Sequence, residues 1–417
     1  MSQLNLLMLN YEFPPIGGGA ANAHLALLKQ YANRSNLKID VLTSAPKPGF
    51  FKEKFSENIT IYKVGLHKKD LHFWRKAEVI EWLFKAKSHY RKLLRENDYD
   101  LVHAFFGFPT GWLCYRRPFV ARIQSLAARD TGLRLAKAGY VPAKAGHGRR
   151  VTERLPYIIS LRGSDVPGRH ARLQLDYKIL APVFKAIWKK AAALVACSEG
   201  LKRRALSFLP TVAIDVIPNG VEMDRFYPPQ KKTDAVPTND VPLRLLTVGR
   251  LSVIKRVEML IDVVQILHED GCHVYFTIVG GGAMEQQLRQ IVSEKNLSDI
   301  VEITGRIEAE KMPEVYRKND IFVSASLQEG MSNAMLEAMA SGLPIVTTHC
   351  EGVEELIKDN GIVVEKAQPD QIAKAIENLS DDPETHKKMS VAARKQAETF
   401  SWSSVAEKYL KVYENIK

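Results

Sequence analysis

Two glutamates stand eight residues apart in the segment EGMSNAMLE, and their surroundings decide what chemistry they can do. The string IFVSASLQEGMSNAMLEAMASGLP predicts a buried strand, a loop that contains Glu329, and a helix capped by Ser332. Backbone N–H groups at the start of a helix have no partner inside it and attract anions. We therefore expect the amides of Ser332–Ala334 to face a phosphate group.

The positions of the two carboxylates relative to this helix predict different roles. Glu337 lies four residues after Asn333 on the same helix face, and helical side chains lean toward the helix N-terminus. A carboxylate there suits the two ribose hydroxyls of a nucleotide docked at the helix start. Glu329 precedes the helix, where a diphosphate would end and a sugar begin. We expect it to bind a sugar hydroxyl or to stabilise developing positive charge.

A diphosphate also needs cations, and the segment LLTVGRLSVIKR supplies two. Arg250 immediately follows a predicted strand, and Lys255 lies five residues later, where a helix begins. Such groups can neutralise a departing diphosphate without a metal ion. The four cysteines are scattered, with no CxxC pair and no His at metal-ligand spacing, so neither a metal site nor a disulfide framework is expected. No cofactor is expected, since a nucleotide-sugar would be a substrate.

Two glycine-rich loops follow predicted strands. In PPIGGGAANAH a helix opens at Gly17–Gly19, and the absence of side chains at Gly18 and Gly19 would let a phosphate or a sugar approach the backbone closely. The second loop, VGGGAME, lacks the third glycine of a GxGxxG dinucleotide motif. We predict that it is a packing turn.

Two further polar residues lie at predicted strand ends in the N-terminal half. His103 ends the pattern DLVHAFF, and Asp165 follows the strand pattern in SLRGSDVPG. If these strands run in parallel, both side chains would face the same cleft. A catalytic or sugar-binding role is one interpretation of His103, and a structural histidine is the other.

Short apolar runs alternate with longer helical patterns along the 417 residues, which predicts parallel sheets covered by helices. The pattern fills residues 1–228, is interrupted by a Pro-, Asp- and Lys-rich linker, and restarts over 243–400. We therefore predict an α/β protein with two facing, Rossmann-like, doubly wound domains and an active site in the cleft between them. The last helix, within 401–417, is expected to pack back on the first domain as a strap.

The N-terminal and C-terminal halves of the chain differ in net charge. Residues 1–228 hold 37 basic and 18 acidic side chains, and the segment 116–154 alone contributes a net charge of +8. That segment is either a solvated surface loop or a patch that docks on an anionic membrane surface or an acidic acceptor. Nucleic acid would be attracted as well, but the sequence has no RRM-type stretch and no zinc-finger spacing. No nucleic-acid partner is expected.

Targeting features are few. The start MSQLNLLMLNYEFPP has no basic leader, and no stretch approaches the roughly 20 apolar residues that span a bilayer. We therefore expect a cytoplasmic protein, with peripheral attachment to the inner face of the cell membrane as a further option.

The ordered set of VGRL, Lys255, VGGG, TGR, E-x7-E and the PNGVEMDRF hinge resembles the family-four retaining glycosyltransferases, which have the GT-B fold. The resemblance covers nearly the whole chain. It implies that Arg250 and Lys255 hold the donor diphosphate, Glu337 the ribose and Glu329 the donor sugar. It further implies that the residues near Ile307 flank the base and that the first domain binds the acceptor.

Two positions depart from the pattern of this family. Many relatives have a second histidine two residues beyond the position of His103, where this chain has Phe105. Retaining members are thought to let the leaving diphosphate take the acceptor proton, so the reaction does not require a histidine base. Arg162 stands where the related HGSD pattern has histidine. An arginine there would offer a cation to an anionic acceptor or a product phosphate.

These features predict a hexosyltransferase that moves a sugar from a UDP- or GDP-linked donor to an envelope polysaccharide or a lipid-linked glycan. The alternative enzyme class is a GT-B nucleotide-sugar isomerase, epimerase or phosphorylase. Such enzymes would share the nucleotide-binding domain and differ in their acceptor chemistry.

Overall fold

The protein is built from two α/β domains, one around an eight-stranded sheet and the other around a six-stranded sheet. The basic segment 116–154 and most of the predicted linker lie outside the residues that the structure describes. The computed structural model describes residues 3–68, 70–71, 73–115, 155–168, 174–229 and 241–417.

The first sheet has the order β3-β4-β2-β1-β5-β6-β7-β8, and all its neighbouring strands pair in parallel except β3 and β4. Its inner strands are buried on both faces, as expected for a parallel sheet covered by helices. The strands are β1 Leu4–Leu9, β2 Leu37–Ala45, β3 Phe50–Ser56, β4 Ile59–Gly65, β5 Leu101–Phe105, β6 Tyr157–Leu161, β7 Ala193–Ala196 and β8 Asp215–Val216.

Five described helices accompany this sheet. The longest, α2, contributes Trp82 and Tyr90 to the core, and at its start the carboxylate of Glu78 accepts a hydrogen bond from the amide of Arg75 at 2.9 Å. The helices are α1 Gly19–Tyr31, α2 Lys76–Glu96, α3 Thr110–Tyr115, α4 Gln174–Lys190 and α5 Glu199–Phe208.

The second sheet has the order β11-β10-β9-β12-β13-β14 and is parallel throughout. Helices pack on both of its faces, which is the doubly wound arrangement. Its strands are β9 Leu243–Val248, β10 Val274–Val279, β11 Val301–Gly305, β12 Ile321–Ser324, β13 Ile345–Thr348 and β14 Gly361–Val364. The helices are α6 Val257–Glu269, α7 Glu285–Glu294, α8 Met312–Arg317, α9 Asn333–Ala340, α10 Val353–Leu356, α11 Pro369–Ser380 and α12 Pro383–Glu398.

The final helix, α13 Trp402–Ile416, packs on α1 of the first domain. Its buried face includes Tyr409 and Tyr413, and the hydroxyl of Tyr31 donates a hydrogen bond to the carbonyl of Ala406 at 3.2 Å. We call α13 the strap helix. It follows the second domain in sequence and adds its apolar face to the core of the first.

The order in which successive strands are added reverses at one point in each sheet. Ligands of such sheets bind beyond the carboxyl ends of the strands at that point. In the first domain β1 lies between β2 and β5, so the change falls between β1 and β5. In the second domain it falls between β9 and β12. The loops after these four strands therefore hold the candidate site. Within the described ranges, no helix is both long and apolar enough to cross a membrane.

Candidate active site

The loops after β9 and β12 enclose a small pocket in the second domain. Arg250 follows β9 directly, and Lys255 ends a 3-10 turn at Val253–Lys255. We call this cavity the second-domain pocket. Its lining includes Thr247, Gly249, Arg250, Lys255, Ser324, Ser326 and Ser332. The two predicted cations therefore share one wall with the start of α9.

Lys255 and Glu329 form an ion pair at this pocket. Their side chains are 20% and 9% exposed, so the pair is largely withdrawn from solvent. They are 74 residues apart in sequence and meet because β9 and β12 are neighbours. Burial beside Glu329 raises the pKa of the Cys350 thiol to about 12, so that cysteine is a neutral neighbour of the pair.

The N-terminus of α9 lies at the edge of the same pocket. Ser332 caps the helix, since its hydroxyl accepts a hydrogen bond from the amide of Met335 at 3.3 Å. Asn333 and Ala334 form the first turn and are half-buried. The orientation of α9 therefore directs its free amides and its positive dipole end toward the pocket.

Glu337 lies one turn further along α9 and is held by Tyr316 of α8. The phenolic hydroxyl donates a hydrogen bond to Oε2 of Glu337 at 2.8 Å. Burial raises the pKa of Glu337 to about 7, while Tyr316 and the nearby cation of Arg225 act in the opposite direction. Hydroxyl donors, such as those of a ribose, would stabilise the ionised form of this carboxyl group.

The first domain faces this pocket with the glycine loop Gly17–Gly19. A Cβ built on Gly18 would lie 3.5 Å from a guanidinium nitrogen of Arg250, and one built on Gly19 would lie 3.3 Å from Nδ2 of Asn333. The loop therefore lies against both predicted donor-binding elements. Gly17 has φ of +101°, and a Cβ there would lie 2.8 Å from Cβ of Glu12. Only glycine fits that position without strain.

The carboxylate of Glu12 lies beside this loop and was not predicted from the sequence. Burial raises its pKa, and the cations of Arg250 and Lys68 oppose this rise. Glu12 thus places a carboxyl group of the first domain near Arg250 of the second. Its sequence signal is an acidic residue after β1 and five positions before the glycine loop.

The second glycine-rich loop packs against the β9 loop, as predicted. A Cβ on Gly280 would come within 1.8 Å of the carbonyl oxygen of Gly249, and one on Gly282 within 2.2 Å of that of Leu251. These glycines allow close backbone contact that supports Arg250 and Lys255. They have no dinucleotide-binding geometry of their own.

The structure corrects the expectation that His103 faces the cleft. Its side chain is completely buried, with Nδ1 2.7 Å from the hydroxyl of Tyr413 and Nε2 2.7 Å from that of Ser160. Burial and the cation of Arg162 hold its pKa well below the ordinary value. The strap helix covers this strand end, so the described contacts of His103 are those of a structural residue.

Asp165 is corrected in the same way. Its Oδ1 accepts from the amide of Arg162 and its Oδ2 from the amide of Gly107, both at 2.8 Å. The side chain is 8% exposed, and burial raises its pKa. Asp165 therefore joins the loops after β5 and β6, and each of its carboxylate oxygens accepts a backbone hydrogen bond.

Arg162 lies where the two domains meet. Its guanidinium carbon is 4.8 Å from the ring centroid of Phe105, and its NH1 donates to Oδ1 of Asn219 at 2.8 Å. Asn219 in turn donates to Asn333 at 2.8 Å. Asn219 was not predicted as a site residue, although it belongs to the PNGVEMDRF hinge.

Ile307 lies in the loop after β11 and is half-buried against the apolar core. The described contacts do not bring it to the second-domain pocket, so its role beside a base remains a proposal. Tyr316, the partner of Glu337, could not be identified from the sequence, because the sequence does not show that α8 packs against α9.

The domains also touch directly around this site. The hydroxyl of Ser198 donates to the carbonyl of Gly330 at 2.6 Å. Beyond it, Arg204 pairs with Glu351 at 3.1 Å. The first contact joins the N-cap of α5 to the loop that carries Glu329, and the second joins α5 to the loop after β13. The cleft is therefore closed on one side by paired groups and lined on the other by the glycine loop.

The arrangement is suited to a diphosphate with a sugar on one side and a nucleoside on the other. Arg250, Lys255 and the α9 amides supply positive potential, Glu337 supplies a diol acceptor, and Glu329 lies at the opposite end. Two facing doubly wound domains with this chemistry define a GT-B glycosyltransferase.

Comparisons with known proteins identify the family. The model described as Glycosyltransferase Family 4 matches residues 17–225, half of the chain, and the model described as Glycosyl transferases group 1 matches residues 230–396. The chain belongs to glycosyltransferase family 4.

One relative and two solved structures illustrate the similarity. The amylovoran biosynthesis glycosyltransferase AmsK of Erwinia amylovora is 29% identical over 61% of this chain and 58% of its own length. Sucrose-phosphate synthase from Thermosynechococcus elongatus has a TM-score of 0.74 at 19% identity, with 99% of both chains covered. Anabaena Alr3699/HepE, solved with UDP-glucose, has a TM-score of 0.67 at 16% identity and covers 99% and 100% of the two chains. The solved structures support the GT-B fold.

Proposed function

We propose that this protein transfers a hexosyl group from a UDP- or GDP-linked donor to an envelope polysaccharide or a lipid-linked glycan, with retention and without a metal ion. The observation that carries the proposal is the second-domain pocket, where Arg250 and the Lys255–Glu329 pair meet the N-terminus of α9. Glu337 lies one turn beyond. No simpler ligand uses all of these groups at once.

The diphosphate is placed by charge. Arg250 and Lys255 replace the counter-ions of the donor and stabilise the charge that develops on the leaving diphosphate. In the ligand-free protein Lys255 is neutralised by Glu329. A donor bound here would compete for Lys255 and free the Glu329 carboxylate for a hydroxyl of the sugar. These cations support a reaction without a metal.

Retention of the anomeric configuration is proposed from membership of the family and from the buried position of His103. With His103 buried and both ring nitrogens bonded, it cannot take a proton from an acceptor hydroxyl. A leaving diphosphate held on the acceptor side can take that proton, which corresponds to reaction on the front face of the donor. Similarity to a protein solved with UDP-glucose supports a UDP-linked donor as a candidate.

A lipid-linked acceptor is supported by an exposed face of α2 that combines apolar and basic side chains. Phe84 is 69% exposed and Ile80 is 48% exposed. At about 100° per residue, Lys87, Arg91 and Arg95 project within about 60° of Phe84. An interfacial helix that carries apolar and cationic groups on one face suits an anionic bilayer surface.

This face is connected to the cleft. The loop before α2 contacts the glycine loop, since the amide of Gly17 donates to the carbonyl of Leu71 at 2.7 Å. Phe84 lies eight residues after Lys76, or about 12 Å along the helix. A protein that docked through α2 would therefore hold the mouth of its cleft near the membrane surface, where lipid-linked sugars are found.

The membrane proposal is tested with vesicles that contain about a third anionic phospholipid. We expect the double substitution Ile80→Ser and Phe84→Ser to weaken vesicle binding by about tenfold or more. The reason is that it removes two apolar side chains that would be buried in the bilayer surface. Val391→Ser, at a position 65% exposed in the second domain, is the matched control and should bind like the unaltered protein. Equal binding by all three proteins would contradict docking through α2.

The enzymatic proposal is tested by following nucleotide release from a panel of UDP- and GDP-linked hexoses. One or two donors should be hydrolysed slowly, and an acceptor should increase the rate. Glu337→Ala should raise the donor KM, whereas Glu384→Ala, at an exposed acid of α12, should not. Absence of release with every donor, from a preparation that is folded, would contradict the proposal.

The alternative enzyme class makes a different prediction in the same assay. An epimerase would convert the donor sugar without any acceptor, and a phosphorylase would require inorganic phosphate. A nucleic-acid-binding protein would bind unrelated DNA in a salt-sensitive manner and show no affinity for UDP or GDP. The second-domain pocket would serve any enzyme that binds a nucleotide-sugar. Similarity to glycosyltransferases, such as AmsK, favours the transferase.

A further inference from the structure

A row of hydrogen-bonded side chains runs from the strap helix to the N-terminus of α9. Tyr409 lies 3.4 Å from NH2 of Arg162, NH1 of Arg162 donates to Asn219 at 2.8 Å, and Asn219 contacts Asn333 at 2.8 Å. The row starts in the core of the first domain and ends at the first residue of α9. It therefore crosses between the domains at the pocket.

The chemistry of Arg162 fixes the direction of this row. A guanidinium has five N–H donors and no acceptor, so the atom of Asn219 that faces it must be the carbonyl oxygen Oδ1. The other end of the Asn219 amide is then Nδ2, which is a donor. The atom of Asn333 that it meets must consequently be Oδ1.

The remaining edge of the Asn333 amide is the NH2 group. This group is directed at the glycine loop, because a Cβ built on Gly19 would lie 3.3 Å from Nδ2 of Asn333. Within the described part of the chain, Nδ2 of Asn333 has no hydrogen-bond partner. A donor that points into the space between α9 and the glycine loop is thus left available for a ligand oxygen.

An asparagine without this neighbour would present either edge, since the amide plane rotates in a broad, roughly two-fold potential. Presentation of Oδ1 would place an acceptor against the oxygens of a diphosphate or a sugar. Asn219 is 8% exposed, and its backbone N–H donates to Sδ of Met331 at 3.2 Å. It is therefore held firmly enough to impose one orientation.

We propose that Asn219 is a positioning residue for donor binding: held by Arg162, it turns the NH2 edge of Asn333 toward the diphosphate–sugar region of the cleft. This inference rests on the proposed function, since it assumes that a nucleotide-sugar occupies the cleft. Arg162 acts here on the donor side, through two asparagines, in addition to any contact with an acceptor. Because the row crosses between domains, the correct edge is presented only when the domains are together.

The test is the isosteric substitution Asn219→Asp. A carboxylate accepts from Arg162 and from Asn333, so the Asn333 amide would rotate and direct Oδ1 into the cleft. We expect the affinity for UDP or the identified UDP-hexose to fall by about 10–100-fold, with a melting temperature close to that of the unaltered protein. Asn97→Asp, the same substitution at the end of α2 and outside the row, is the matched control.

A double-mutant cycle separates rotation of the amide from simple repulsion by the new charge. If Asn219 acts through Asn333, the substitution Asn219→Asp should change affinity by less than about threefold in an Asn333→Ala background. Arg162→Lys keeps a donor-only group at the start of the row and should retain most of the affinity. Both outcomes are specific to the direction of the amides and are not expected from a general loss of structure.

Three results would overturn the inference while leaving the proposed function intact. Affinity for UDP unchanged by Asn219→Asp, an equal loss in the Asn333→Ala background, or an unrotated Asn333 amide in a UDP complex of the variant would each do so. Absence of nucleotide binding by the unaltered protein would instead contradict the proposed function and, with it, the ligand assigned to Asn333.

Discussion

The pKa of Glu337 leads to a prediction about the pH dependence of donor binding. The Glu337 side chain is half-buried and accepts a hydrogen bond from Tyr316 of α8, and burial raises its pKa to about 7. The charged groups around it are Arg225 and Glu222, which lie in the hinge segment. If Glu337 accepts hydrogen bonds from the ribose, only its ionised form binds a donor well. Binding then lowers its pKa.

The size of the effect follows from the ionised fraction. With a pKa of about 7, roughly one Glu337 in ten is ionised at pH 6 and nine in ten at pH 8. Affinity for a nucleotide-sugar should therefore be about tenfold, or about 1.4 kcal/mol, tighter at pH 8 than at pH 6. Tyr316→Phe removes a donor to the carboxylate, so it should raise the pKa further and move the transition to higher pH.

Calorimetry with an intact UDP-hexose is the appropriate assay, because such a donor has no terminal phosphate that titrates near pH 7. Glu337→Gln keeps the shape of the side chain and should make the affinity independent of pH between 6 and 8. An unaltered protein whose affinity is flat over this range, or one that binds more tightly at pH 6, would refute the role given to Glu337.

Ionisation of Glu337 has the opposite effect on folding: it lowers the free energy of unfolding, whereas it increases donor affinity. Because the folded-state pKa of Glu337 lies above its ordinary value, the folded protein binds more protons than the unfolded chain between about pH 4.5 and 7. The free energy of unfolding therefore decreases as pH rises through this window. Without ligand, Glu337→Gln should be more stable than the unaltered protein at pH 8, by about 3 kcal/mol, and similar to it near pH 4.5.

Three further predictions concern the cations, the glycine loop and the strap helix. Lys255→Ala should lower kcat by about 10²–10³-fold with a smaller change in donor KM, because its charge acts mainly on the leaving diphosphate, and steady-state kinetics would detect this. Gly17→Ala should destabilise the fold by about 1–3 kcal/mol in chemical denaturation, because φ is +101° and the new Cβ would meet Glu12. Tyr413→Phe leaves Nδ1 of His103 without its partner, which should cost about 1–3 kcal/mol of stability and leave donor KM within about twofold.

Much of the fold was predictable, because periodicity and turn residues reflect local structure. The predicted alternation of strands and helices is found in both doubly wound domains. The β3–β4 hairpin was not predicted: β3 is an edge strand whose side chains are mostly exposed, so it has little apolar pattern. Helices α11 and α12 were also not predicted, although Pro369 and the pair Asp382–Pro383 are usable start signals.

The candidate site was predictable where residues belong to one strand-to-helix unit. Arg250 and Glu329 each follow a strand of the second domain, and a parallel sheet brings such loops together. His103 shows the limit of this reasoning. The sequence places it at a strand end but does not reveal that Tyr413, 310 residues later, covers it. Asn219 was missed for the related reason that its partners come from two distant segments, one with Arg162 and the other with Met331 and Asn333.

Co-crystallisation with UDP tests the account most directly. We predict that the diphosphate lies within hydrogen-bond reach of Arg250 and Lys255, that Lys255 has separated from Glu329, and that both ribose hydroxyls contact Glu337. The NH2 edge of Asn333 should face the β-phosphate. A nucleotide bound elsewhere, or bound in this cleft with its ribose away from Glu337 and the Lys255–Glu329 pair intact, would contradict the account.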